Sequence, residues 1–117
     1  MASHHKEGRD SMLTAFNRPT LEAIVAACAR GFAVSHDALL GRSRRGNLPV
    51  ARHAIVRLAR YYGYTQREIG AELNRVVSTI TKSEQVADDL HDTSAAWRNC
   101  YATAVATFHT STNTTHG

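Results

Sequence analysis

Apolar residues recur along this chain at spacings of three and four, and glycines, prolines and capping residues cut the recurrence into short blocks. That period belongs to helices with one buried face. Asn17 can cap a first helix with Pro19 in its first turn; Leu21, Ile24, Val25 and Cys28 line its buried side, and Gly31 ends it. Ser35 can cap a short second helix, His36 to Leu40, with Leu39 and Leu40 buried and Gly41 as its stop. Arg42 to Leu48 is a loop, with Gly46 and Asn47 favouring turn geometry. Pro49 suits the first turn of a third helix that runs to about Tyr62 and closes at Gly63. Ile55, Leu58, Ala59 and Tyr62 form its core stripe, which leaves Arg52, Arg57 and Arg60 off the stripe. Ala95 to Phe108 is a last helix, where Trp97, Tyr101, Ala104, Val105 and Phe108 make one aromatic-rich stripe. Such a stripe either covers a core or, if exposed, marks a dimer surface.

Between these blocks lies Thr65 to Lys82, TQREIGAELNRVVSTITK, the stretch around which the rest is organised. Thr65 with Glu68 three residues on makes a capping box. Ile69 and Leu73 fall on one face of the two turns that follow, and Gly70 marks a close contact. Asn74 tolerates the left-handed conformation that a helix C-terminus needs. A second helix can begin near Val76 to Ser78 and continue to about Leu90, although Val76 and Val77 stand where a capping side chain is usual. The spacing is that of a helix-turn-helix. The expected fold is therefore all-α: a small helical bundle containing a helix-turn-helix, with an extra C-terminal helix. The expected organisation is a flexible leader over 1–16, a helix-turn-helix domain over 17–92, an aromatic helix over 93–109 and a disordered tail over 110–117, where Thr, Ser and Asn dominate. Met12, Leu13 and Phe16 could dock the leader on the body.

Charge sharpens this picture. Between Arg42 and Lys82 there are nine basic residues against Glu68 and Glu72 alone, a local charge of +7, while the remainder of the 117 residues carries −3. A basic block that overlaps a reader motif suits a polyanion, because each neutralised phosphate releases counterions. Glu84, Asp88 and Asp89 make the far end of the second motif helix acidic, so that end is expected to point away from a phosphate backbone. No apolar run approaches the ~18–20 residues of a membrane span, and no signal-type apolar block opens the chain. A cytoplasmic, nucleoid-associated protein is expected, with no membrane partner. The histidines and the cysteines Cys28 and Cys100 lack metal-type spacing, and no GxxxxGK[ST] stretch is present, so no cofactor, metal or nucleotide is expected. No nucleophile, base and orienter pattern is legible, and His36-Asp37 reads as helix-start polarity, so no enzyme is expected.

Four pieces of the chain, LLGRSRR (Leu39 to Arg45), VARHAIVRLAR (Val50 to Arg60), EIG (Glu68 to Gly70) and NRVVST (Asn74 to Thr79), occur in this order and spacing. In these the stretch from Leu21 to about Leu90 resembles the C-terminal DNA-binding domain, domain IV, of the bacterial chromosomal replication initiator DnaA. The resemblance implies a helical bundle with a basic loop and a helix-turn-helix. It implies that Arg44 enters a minor groove, that Arg42, Arg52, Arg60 and Arg75 contact phosphates or base edges, and that Ser78 and Thr79 read bases and phosphate from the start of the recognition helix. The family carries Asp-His where this chain has Val76-Val77, and this chain is about two residues shorter between Arg52 and Arg75.

From the residues themselves, Val77, Ser78 and Lys82 are the expected base readers, Thr79 and Arg75 the phosphate holders, and the RSRR loop with Arg42, Arg44 and Arg45 the minor-groove element. The expected function is sequence-specific binding of double-stranded DNA by a small transcriptional regulator or replication-associated factor, with a homodimer through the last helix as a further possibility. The alternative is an oligomeric packaging or partition component that holds DNA with the helix-turn-helix and assembles through the last helix.

Overall fold

A computed structural model describes the backbone of residues 18–116 and the side chains of residues 18–109. Asn17 and the leader, with Met12, Leu13 and Phe16, lie outside the described residues. All secondary structure among those described is helical: α1 (Leu21–Gly31), α2 (His36–Leu40), α3 (Leu48–Tyr61), α4 (Gln66–Leu73), α5 (Val77–Thr93) and α6 (Ala95–His116). None is long and apolar enough to cross a membrane.

The first helix starts later than the pattern predicts. Its cap is Thr20, whose hydroxyl accepts the Ala23 N–H at 3.0 Å. Pro19 therefore precedes the helix, and its carbonyl accepts the Tyr64 hydroxyl at 2.8 Å. Arg18 sits 3.7 Å over the Tyr64 ring and donates to the Tyr62 carbonyl at 3.3 Å. These contacts tie the entry of α1 to the α3–α4 corner. The Ser35 cap, accepting from Ala38 N–H at 3.2 Å, and the bounds of α2 follow the sequence pattern, with Leu39 fully buried and Leu40 half-buried.

α6 packs along α1 and α5 along α3, with α1 and α3 also in contact. Ile24, Val25, Cys28, Leu39, Ile55, Leu58, Ile69, Leu73 and Ile80 are fully buried in one core. Burial pushes the Cys28 thiol up to about 12, so it packs as a small hydrophobe. The aromatic stripe of α6 turns inward. Trp97 is buried, stacks on Tyr101 at 5.0 Å and donates its indole N–H to the Val50 carbonyl at 2.9 Å, while Phe108 meets Tyr62 edge-on. The stripe covers the core and does not present an exposed aromatic face. α5 and α6 meet at Ser94 alone, whose hydroxyl accepts the Trp97 N–H at 3.1 Å, where the sequence suggests a longer break from His91. α6 also continues through 110–116, a stretch whose composition predicts a disordered tail; neither Gly nor Pro interrupts it there.

Two glycines are set by close approach. Gly31 reads in sequence as a helix stop, yet the left-handed residue that turns the chain is Ala33, at φ 57°. A Cβ on Gly31 would lie 2.6 Å from the Cys100 carbonyl oxygen, so its bare Cα is what lets α6 approach α1. A Cβ on Gly70 would lie 2.6 Å from the Arg75 carbonyl oxygen. Exchanging a helical glycine for alanine ordinarily stabilises by up to about 1 kcal/mol. Here backbone overlap outweighs propensity. Gly31→Ala and Gly70→Ala are each expected to lower unfolding free energy by about 1–3 kcal/mol, read by urea titration. A raised midpoint in either would contradict the close packing.

Candidate nucleic-acid interface

The local structure between Thr65 and Val77 follows from side-chain chemistry. Thr65 Oγ1 accepts the Glu68 N–H at 3.0 Å, and the Glu68 carboxylate accepts the Thr65 N–H at 2.8 Å. The bond from the Thr65 backbone is the main cause that holds the Glu68 carboxyl below its ordinary range. α4 ends at Asn74, which takes the left-handed conformation at φ 58° and ψ 50°. Arg75 N–H then donates to the Gly70 carbonyl at 2.8 Å, which closes the turn. Val76 occupies the N-cap of α5 with no side-chain hydrogen bond. An oxygen-bearing cap there is worth about 1 kcal/mol, and the chain forgoes it. Gln66 fastens the two helices from the other side: its carbonyl oxygen accepts the Thr81 hydroxyl at 3.0 Å and its amide donates to Glu84 at 3.0 Å.

Arg52 is not where the pattern places it. It is 9% exposed, and its guanidinium is committed to the chain's own backbone. Nε donates to the Leu39 carbonyl at 2.9 Å, Nη1 to Ser43 at 2.6 Å, and Nη2 to Ala38 at 2.8 Å and Gly41 at 3.1 Å. The expectation of a side chain projecting freely into solvent is therefore corrected: Arg52 ties the basic loop to the end of α2. The reason is tertiary, since α2 ends with its last carbonyls aimed at the first turns of α3. Arg75 reaches the same point, donating from Nη2 to the Gly41 carbonyl at 2.6 Å and from Nη1 to Leu73 at 2.8 Å. One carbonyl oxygen thus joins the basic loop to the α4–α5 turn through two cations.

Around this junction lies a concavity of about 460 Å³. Arg42, Arg44, Arg52, Arg75 and Lys82 line it, with His53, Thr79 and Ser83, and no Asp or Glu among the lining residues. The cations disturb one another. Burial first, then Arg75, pulls Arg52 below its ordinary value; burial, then Arg42 and Arg44, does the same to Arg75. Uncompensated positive charge of this kind is lowered in energy by an anion. Arg42, Arg44, Arg45, Val77, Ser78, Thr79 and Lys82 are all exposed; of these the concavity brings together Arg42, Arg44, Thr79 and Lys82, while Arg45, Val77 and Ser78 are not among its lining residues. Arg60 departs from the set. Its Nε pairs with Glu84 at 3.3 Å and its Nη1 donates to the Tyr64 carbonyl at 3.1 Å. It lines a different concavity, with Arg57, Asp88, Tyr61 and Tyr101, where acidic residues neutralise it.

Comparison with protein-family models, with curated proteins and with solved structures returned no match to this chain. No group of three or more His, Cys, Asp or Glu side chains is placed to hold a metal ion among the described residues. Three groups at the concavity carry no sequence signal. The Gly41 carbonyl acts through its backbone, and His53 and Ser83 meet at 2.5 Å across thirty residues only because α3 packs on α5.

Arg52→Ala is expected to cost more than about 2 kcal/mol, because one buried and three part-buried carbonyl bonds lose their charged donor. Arg44→Ala, at an exposed loop position, should stay within about 0.5 kcal/mol of the parent in the same urea titration. Burial, then Arg52, holds His53 below its ordinary value. The unfolded chain therefore binds a proton there that the folded chain resists. Stability is expected to fall as pH drops below about 6.5 and on through the lowered folded value, and His53→Gln should flatten that slope.

Proposed function

We propose that this chain binds double-stranded DNA with sequence preference. The observation that carries the reading is the carboxylate-free concavity in which Arg42, Arg44, Arg75 and Lys82 meet Thr79 at the uncapped start of α5. A duplex presents regularly spaced phosphates to such a surface, and a helix N-terminus adds unpaired N–H groups and positive dipole. In this reading α4 and α5 form a helix-turn-helix. The first turn of α5 enters the major groove with Val77, Ser78 and Lys82 at base edges, and Thr79 and Arg75 hold phosphates. Arg44, with Arg42 and Arg45 beside it, follows the neighbouring minor groove, where a narrow A·T-rich tract attracts arginine. The resemblance to the DNA-binding domain of the initiator DnaA supports the same assignment. Arg52 becomes a positioning residue for the loop, and Arg60 leaves the contact set. A small regulator or replication-associated factor at the bacterial nucleoid fits this reading. The dimer and packaging readings drew their support from the aromatic stripe of α6; with that stripe packed against the core, the observations favour the regulator.

Selection of binding sites from random duplexes tests the proposal. On the selected site, Arg44→Ala is expected to weaken binding by about 1–3 kcal/mol and to relax A·T preference. Lys82→Ala should alter the preferred major-groove bases, and Arg60→Ala should change little. With roughly four to six phosphate contacts, affinity should fall by about two to three orders of magnitude between ~50 and ~200 mM salt. A selection that yields no enriched duplex, or equal weakening by Arg60→Ala and Arg44→Ala, would refute it.

A further inference from the structure

Three large apolar side chains are notably exposed among the described residues: Tyr61, Val76 and Val77. Tyr61 lies edge-on against Tyr62 at the neutralised concavity. The two valines differ. They are adjacent, 67% and 42% exposed, and stand at the N-cap and first residue of α5. Arg75 precedes them, and Ser78, Thr79 and Lys82 follow; of these Arg75, Thr79 and Lys82 line the concavity that no carboxylate lines. A polar cap would satisfy a backbone N–H at this place and keep the surface wet. Two branched hydrocarbons do neither, and neither valine contributes to the core.

Apolar side chains at the entry of a groove-reading helix can recognise one feature of DNA. In the major groove the hydrocarbon exposed at a base edge is the methyl group on C5 of thymine, or of a methylated cytosine. Hydrogen-bonding side chains cannot see it, whereas a valine buries it by contact. The cations around the pair supply the attraction to the phosphates that would hold a duplex against the valines. We propose that Val76 and Val77 form a reader of pyrimidine C5-methyl groups, so that the preferred site carries such methyls opposite the start of α5. This rests on the DNA-binding reading above, whose failure is seen separately.

The experiment uses the full chain and a duplex enriched from random pools made with thymine. Each dT of that duplex is replaced singly by dU, which removes the methyl and leaves the hydrogen-bonding edge intact. Each dC is replaced singly by 5-methyl-dC. One or two dT→dU replacements are expected to weaken binding by about two- to ten-fold each, the loss for one buried methyl. The double variant Val76→Ala, Val77→Ala should bind the dT and dU duplexes equally, and its exposed positions leave the fold in place by circular dichroism. If the relevant methyl comes from modified cytosine, 5-methyl-dC strengthens binding by a similar factor and the double variant loses that gain. Indifference of the parent chain to both replacements would overturn the proposal. So would a double variant that weakens dT and dU duplexes to the same extent, since the valines would then touch sugar or support the fold. If no duplex is enriched at all, the DNA-binding reading itself fails before any methyl is tested.

Discussion

The Gly41 carbonyl oxygen accepts hydrogen bonds from two arginines that come from different parts of the chain. Arg52 arrives from α3 and Arg75 from the turn after α4. Like charges held this close repel, and the arrangement persists because carbonyls converge on both guanidiniums. Bonds from charged donors are stronger than those between neutral groups. The consequence is mechanical. The basic loop and the α4–α5 turn, thirty-odd residues apart in sequence, are fixed to one point. A flexible arginine loop would have to be ordered on binding an anion, at an entropic cost; a tethered one is already in position.

Charge is divided between two faces by the same pair of helices. α3 and α5 run together, and both contribute to each concavity. On one side Arg57 meets Asp88 and Arg60 meets Glu84, so the field is largely cancelled. On the other side Lys82 and the arginines of the loop and turn have no acidic partner lining the concavity. α5 thus begins among cations and becomes acidic farther along, at Glu84, Asp88 and Asp89. Exposed ion pairs add little stability, so the pairing matters more for where positive potential is left standing than for holding the bundle together.

The platform beneath this surface is made rigid by contacts remote from it. Gly31 allows α6 to lie against α1, and Trp97 locks α6 to α3 through the Val50 carbonyl. Arg18 and Pro19 fasten the entry of α1 to Tyr62 and Tyr64. α3 is therefore held on several sides, and the residues it sends to the concavity, Arg52 and His53, inherit that order.

Much was determined by the sequence on its own. A period of three to four residues marks the helices, and Ser35, Thr65 and Asn74 mark boundaries that local hydrogen bonding or left-handed backbone geometry enforces. These depend on neighbours within a few positions, so they are legible without a fold. The clustering of basic residues from Arg42 to Lys82 was equally legible as a count. Which arginines remain available was decided only in three dimensions. Arg52 and Arg60 look alike in the pattern, as basic positions off the core stripe of one helix. One is taken up by the carbonyls at the end of α2 and the other by a carboxylate on α5. Likewise the stripe from Trp97 to Phe108 could have faced solvent or core, and only the packing of α6 on α1 settles that it faces core. The physical reason is common to all three. A side chain's partners are set by backbone groups and charges distant in sequence, and periodicity records which face a residue occupies but not what that face meets.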